Sequence, residues 1–254
     1  MPPTRAGRTG TGWRSSVSNL ITLPPLRQVR GGLDPNVATA ALLAEMGGAD
    51  WLIVHLREDR RHVQDRDVYA LQQVVPSRLT LEISSSDRML KFALGLHPAR
   101  VTVLPEHPME LTTESGLDLI GKREVVANAA ATLAQAGIPV TLLIQPTVDD
   151  VKACHRLGQP GVSVELNATA YRAAKTPAER RACEERILTA AKLAAKVGMP
   201  VQLGHGLTLD AVRSFAAAPD IAQINVGHAV VARAALIGIE AAVREMKSAA
   251  ASRG

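Results

Sequence analysis

Short apolar runs rich in Val, Ile and Leu recur along the chain, each followed by turn residues and a stretch whose apolar positions return at helical spacing. This alternation is the pattern of repeated βα units. Eight runs stand out: Val17 to Leu23, Trp51 to Leu56, Leu79 to Ile83, Val101 to Leu104, Val140 to Ile144, Val162 to Leu166, Val201 to Leu203 and Ile221 to Val226. The first is the weakest, because Pro24 and Pro25 follow it at once. Between the runs, Asp34-Pro35 predicts a helix that ends at Gly47-Gly48, with Asp34 as N-cap and Pro35 at the first helical position. Thr176-Pro177-Ala178-Glu179 predicts a capping box and a helix starting directly after Thr176. The most apolar helical stretch, about Gly227 to Val243, is broken by Arg233 and Glu240, so no segment has the 18 uncharged apolar residues of a membrane span.

Eight βα units in 254 residues predict an α/β chain folded as a (β/α)8 TIM barrel. A hydrophobic content of 46% fits one domain, here residues 17–254, and its Ala, Val, Leu and Ile usage is that of parallel strands covered on both faces. Residues 1–16 are rich in Gly, Pro and Arg and carry no acid, which reads as a disordered tail. The opening has no apolar stretch of the kind a secretory signal needs, and no evident amphipathic helix of a transit peptide. Three arginines there account for most of the +5 formal charge; the remainder carries +2. With only six aromatic residues besides, the chain lacks the basic groove and stacking rings of a nucleic-acid binder. Cys154 and Cys183 belong to no CxxC or Cys/His ligand pattern, which points to reduced thiols in a cytoplasmic protein and to no structural metal.

In a barrel of this kind the loops after the strands build the active site, so polar residues at strand ends are the candidates. In chain order these are Asn19; His55, Arg57 and His62; Glu82; Glu106 and Thr112; Gln145; Glu165 and Asn167; His205; and Asn225 with His228. His55 opens a charge run, His55 to His62, at the last position of an otherwise apolar strand. Glu82 interrupts Leu79 to Ile83, where an unpaired buried carboxylate would be costly, and partial burial would tune it toward a general base. Gly204-His205-Gly206 and Asn225-Val226-Gly227-His228 place small residues at two successive late turns, the second leading into a helix N-terminus. Backbone N–H groups there suit a phosphate. The long segment from Pro105 to about Ile120 is a candidate lid.

Taken together, VHLREDRRH at 54–62, LE at 81–82, LTTESGLD at 111–118, GHGLT at 204–208 and INVGHAVV at 224–231 resemble the pyridoxine 5′-phosphate synthase family, in its order and over roughly residues 18 to 248. The resemblance implies a TIM barrel with additional helices, assembled as dimers and commonly as an octamer. It also implies condensation of 3-amino-2-oxopropyl phosphate with 1-deoxy-D-xylulose 5-phosphate into pyridoxine 5′-phosphate, phosphate and water, with no cofactor or metal. Carried onto matching positions, His55 and Glu82 are proton acceptors and His205 a proton donor. Arg57, His62 and Thr112 hold the deoxyxylulose phosphate, while Arg30, Gly206, Gly227 and His228 hold the amino ketone phosphate, with Asn19 also in the substrate site. The sequence departs from the family at Ile21 and Thr22, where a polar Asp-His pair is typical, and at Gln145, where an acid is expected. Two alternatives stay open on the residues: a related barrel acting on another phosphorylated ketone, and a non-catalytic phosphosugar-binding protein.

Overall fold

Alternation within the strands decides how the sheet is used. The computed structural model describes residues 14–17, 34–107, 109 and 113–251. In β3 (Leu79–Ile83) the sequence LTLEI sends Leu79, Leu81 and Ile83 into the apolar core and leaves Thr80 and Glu82 for the opposite face. The same rule holds for β4 (Arg100–Val103), β6 (Ser163–Asn167), β7 (Val201–Gly204) and β8 (Gln223–Val226), whose Val, Leu and Ile residues alternate with polar or small ones, and for β5 (Val140–Ile144) except at Leu143, which shares the interior face with Thr141. With β1 (Arg14–Val17) and β2 (Leu52–His55), they form one parallel eight-stranded sheet in the order β1-β8-β7-β6-β5-β4-β3-β2. The sheet curls far enough that Arg100 on β4 donates to Gln223 on β8 at 3.0 Å across its interior. Among the described residues helices cover one face only; the other lines a largely polar interior. This corrects the expectation of strands buried against helices on both sides, and it explains why Thr, Gln, Glu and Asn recur inside short strands.

The covering helices are α1 (Val37–Met46), α2 (Asp65–Val74), α3 (Asp87–Leu96), α4 (Arg123–Gln135), α5 (Val148–His155), α6 (Thr169–Ala173), α7 (Pro177–Lys196), α8 (Leu209–Phe215), α9 (His228–Ile237) and α10 (Ile239–Ala251). The seam between them and the sheet is the core, where residues such as Leu81, Leu142, Val164 and Leu203 are fully buried. Each contributes about 1.5–3 kcal/mol by leaving water. Among the described residues no helix is long and apolar enough to cross a membrane.

Three local expectations are corrected. The run Val17 to Leu23 shares only Val17 with β1, which pairs with β8 in the register Arg14↔Gln223 to Val17↔Val226; the rest of that run lies outside the described residues, as do residues 1–13 of the predicted tail. The cap of α1 is Asn36, not Asp34, because the Asn36 side chain is the one that accepts from the N–H groups of Ala38 and Thr39, at 2.9 and 3.1 Å. The apolar stretch from Gly227 to Val243 is two helices, parted at Gly238, whose φ of +83° suits glycine. The capping box of α7 forms as predicted, with Glu179 N–H donating to Thr176 Oγ1 at 3.2 Å and the Thr176 N–H donating to Glu179 Oε2 at 3.3 Å. Thr176→Ala is expected to cost about 1 kcal/mol, read as a lower urea midpoint with an unchanged slope.

Candidate active site

Glu82, 1% exposed, sits on the interior face of β3, and strand register places His55 of β2 directly beside it. His55 Nε2 lies 3.3 Å from Glu106 Oε1, and Glu106 Oε2 accepts the Glu58 N–H at 3.2 Å. Burial opposes ionisation of Glu106, yet the His55 hydrogen bond and charge, with the Glu58 N–H, hold its carboxyl below the usual value. An ionised Glu106 can only accept, so His55 Nε2 donates in this contact.

The chain turns sharply after β7 because His205 and Gly206 both take left-handed backbone angles, φ +61° and +75°. That conformation is uncommon for a non-glycine residue and concentrates where geometry serves chemistry. It brings His205 Nδ1 to 3.0 Å from Glu165 Oε1, while Asn225 Nδ2 donates to Glu165 Oε2 at 2.8 Å. Gly204 makes the room, since a Cβ there would lie 1.9 Å from Glu165 Oε1. Burial disfavours a charged His205, but the hydrogen bond and charge of Glu165, together with the charge of Glu82, outweigh it and raise the imidazole above its ordinary value. Glu82, Glu165 and His205 each offer an atom within 4.8 Å of the others. Such spacing would suit a cation, and it equally suits proton exchange, since His205 Nδ1 and Glu165 Oε1 are already hydrogen-bonded to each other.

A raised histidine adds stability that is complete below its unfolded value of 6.5 and is lost as pH rises through the elevated folded value. The thermal midpoint of the wild-type protein is therefore expected to fall above pH 6.5. In His205→Asn this component of the decline should be missing, which a pH series of melting curves would show.

Around this centre, Arg57 is buried and donates to Asp59 Oδ2 at 3.3 Å and to the His107 carbonyl at 3.2 Å. Burial works against ionisation of Asp59, yet hydrogen bonds from Arg61 and Arg57 hold its carboxyl well below the usual carboxylate range. His62, half-buried on the same loop, is pushed below its ordinary value by burial and then by Arg61 and Arg57, so it is a neutral ring near pH 7. The predicted lid is held at two points: Glu106 meets His55, and Asn167 Nδ2 donates to the Glu114 carbonyl at 3.2 Å. Gly116 lets the segment lie on the end of β5, because a Cβ there would come within 2.5 Å of the Gln145 nitrogen. Gly206 and the Gly227-His228 turn follow the adjacent strands β7 and β8, with Gly227 capping α9 and His228 exposed as its first residue. Asn19, Arg30 and Thr112 lie outside the described residues, as do Ile21 and Thr22.

Residues 19–252 match the family of pyridoxal phosphate biosynthesis protein PdxJ. The chain belongs to the PdxJ family. Relatives named pyridoxine 5′-phosphate synthase agree with it over nearly their whole length. The one from Syntrophotalea carbinolica is 42% identical over 90% of this chain and 95% of its own, and the one from Magnetococcus marinus is 43% identical over 90% and 93%. Two solved structures share the fold at low identity: phosphoribosylanthranilate isomerase from Thermotoga maritima, with a TM-score of 0.59, 14% identity and coverage of 94% and 99%, and tryptophan synthase from Mycobacterium tuberculosis, with 0.60, 15% and coverage of 96% and 95%.

In this PdxJ chain His55 and Glu82 lie on β2 and β3 and His205 directly after β7, where the sequence pattern puts them, whereas the pattern gives Glu165 and Glu106 no role. Glu165 had the same signal as Glu82, a carboxylate inside a short apolar strand, VELN. Glu106 carried no such signal, since it follows a proline in a loop and its contact with His55 is set by a chain path of fifty residues that sequence pattern does not encode.

Proposed function

We propose that this chain is a pyridoxine 5′-phosphate synthase, condensing 3-amino-2-oxopropyl phosphate with 1-deoxy-D-xylulose 5-phosphate to pyridoxine 5′-phosphate, phosphate and water. The observation that carries the reading at the level of residues is the pairing of His205 with Glu165 opposite Glu82, inside a barrel of the PdxJ family. Ring formation requires amine-to-ketone condensation, loss of phosphate, carbon–carbon bond formation and dehydrations, each of which moves a proton. His205, with Nδ1–H held by Glu165, has Nε2–H to donate to a leaving oxygen. Glu82 and His55 accept protons. Arg57, His62 and Thr112 take the deoxyxylulose phosphate, Arg30, Gly206, Gly227 and His228 the amino ketone phosphate, and Asn19 belongs to the substrate site. Arg57 offers a fork of donors, and the turns after β7 and β8 offer backbone N–H groups. We assign the enzyme to the cytoplasm as a single barrel domain and a dimer-based homo-oligomer.

Incubation with both substrates tests this directly. A pyridine chromophore and free phosphate are expected in equal amounts, and Glu82→Gln should cut their rate about a hundredfold without altering the fold, because the amide keeps the shape but takes no proton. Substrate binding without turnover by the wild-type protein would support a phosphosugar-binding role instead. Turnover confined to another phosphorylated ketone would fit the non-polar Ile21 in place of the family's usual pair.

A further inference from the structure

Inside the barrel a continuous set of side-chain hydrogen bonds runs from the end opposite the site to His205. It begins at Arg100, the first residue of β4, whose guanidinium also stacks on Trp51 with its central carbon 4.1 Å from the ring centroid. Arg100 Nη1 donates to Gln223 Oε1 at 3.0 Å. Gln223 Nε2 donates to Asn225 Oδ1 at 2.7 Å and to Gln202 Oε1 at 3.1 Å. Asn225 Nδ2 donates to Gln202 Oε1 at 3.0 Å and to Glu165 Oε2 at 2.8 Å. Gln202 Nε2 donates sideways to Thr141 Oγ1 at 3.0 Å. Gln202, Gln223, Asn225 and Glu165 are all buried, so none can exchange a lost partner for bulk water.

A primary amide can present either its oxygen or its nitrogen to a neighbour, and in isolation Gln223 and Asn225 would have no fixed sense. Here both ends of the series are one-sided. Arg100 can only donate, so it draws Gln223 Oε1 toward itself and turns Gln223 Nε2 toward Asn225. Asn225 must then offer its oxygen to Gln223 and its nitrogen to Glu165, whose carboxylate only accepts. We infer that Arg100 and Gln223 are positioning residues for the reaction: acting through Asn225, they fix which oxygen of Glu165 is occupied from below and which is left for His205 Nδ1. This inference rests on the roles proposed for Glu165 and His205. It adds that the orientation of the Glu165 carboxylate toward His205 is held from the far end of the barrel.

Two substitutions break the series in different ways. Arg100→Met removes the anchor, and Arg100→Lys restores a donor of like charge. Gln223→Glu keeps size and the bond from Arg100, but an ionised carboxylate beside that guanidinium cannot donate to Asn225, so the amide above it must reverse and turn its oxygen on Glu165. Kinetics with both substrates are expected to show kcat lowered about tenfold in Arg100→Met and at least as much in Gln223→Glu, with both KM values within about twofold of wild type and most of the loss recovered in Arg100→Lys. A purely structural role would lower the thermal midpoint and the amount of active enzyme without this split, and would overturn the inference, as would wild-type kcat in folded Gln223→Glu. Should Arg100→Met fail to fold, Gln223→Glu decides alone. Glu165→Gln, assayed alongside, separates the two levels: undiminished turnover there refutes the underlying role of Glu165, whereas its loss combined with normal kcat in Gln223→Glu refutes the inference only.

Discussion

Replacing Glu165 by Gln is expected to lower turnover about a thousandfold, a larger effect than any other single isosteric change in the site. Both carboxylate oxygens are used as acceptors, one by His205 Nδ1 and one by Asn225 Nδ2. A glutamine has one oxygen and one NH2, so one of the two partners must face a donor with a donor. The change also removes the negative charge that, with Glu82, raises His205 against its burial. The imidazolium then loses its proton at lower pH, and the enzyme loses its donor as well as its geometry. A stability loss of about 1–3 kcal/mol accompanies this, because a buried donor is left unmatched. Single-turnover kinetics and melting curves on one preparation give both quantities. Turnover within about tenfold of wild type would refute the assignment.

Gly204→Ala should be nearly as damaging, although it removes no functional group. The added methyl would sit 1.9 Å from Glu165 Oε1 and 3.1 Å from the Asn225 Cβ. The first distance is far inside contact, so the carboxylate must swing away from His205 or the β7 backbone must shift. Overpacking of this kind costs about 1–3 kcal/mol. The displaced carboxylate gives up the hydrogen bond that orients the ring, so we expect turnover to fall several hundredfold, on the order of the loss of the acid itself. A crystal structure of the variant would show Glu165 rotated, and an unmoved Glu165 with normal turnover would contradict the argument.

How far the sequence carried this picture depends on the range of the signal. Strand positions were legible because alternation is local: β3 and β5 match their predicted runs at both ends. The α7 cap was legible for the same reason, since Thr176 and Glu179 are three residues apart. The α1 cap lies two residues beyond the predicted one because Asp34 and Asn36 are both good caps and only the folded chain shows which side chain accepts. The polar interior is not legible in the same way, because a polar residue inside a strand has the same local pattern whether it serves chemistry or packing. Gln202 of β7 bonds Thr141 of β5 on one side and Gln223 of β8 on the other, contacts between strands that no local window contains. Glu106 falls in the same class, brought to His55 by the path of a loop.

The left-handed backbone at His205 bears on how the site is probed and how it can vary. A φ of +61° is tolerated by asparagine, aspartate and glycine far better than by alanine or any branched residue. An alanine scan would therefore report two penalties at once at this position, the missing imidazole and a strained turn, and would overstate the chemistry. His205→Asn isolates the missing proton donor. The same constraint narrows the substitutions by which this barrel could acquire a different acid here: aspartate fits the turn, but its short carboxyl would stand beside Glu82 and Glu165, where three acids would crowd one small volume. The backbone thus selects for histidine on grounds of shape as well as of proton affinity.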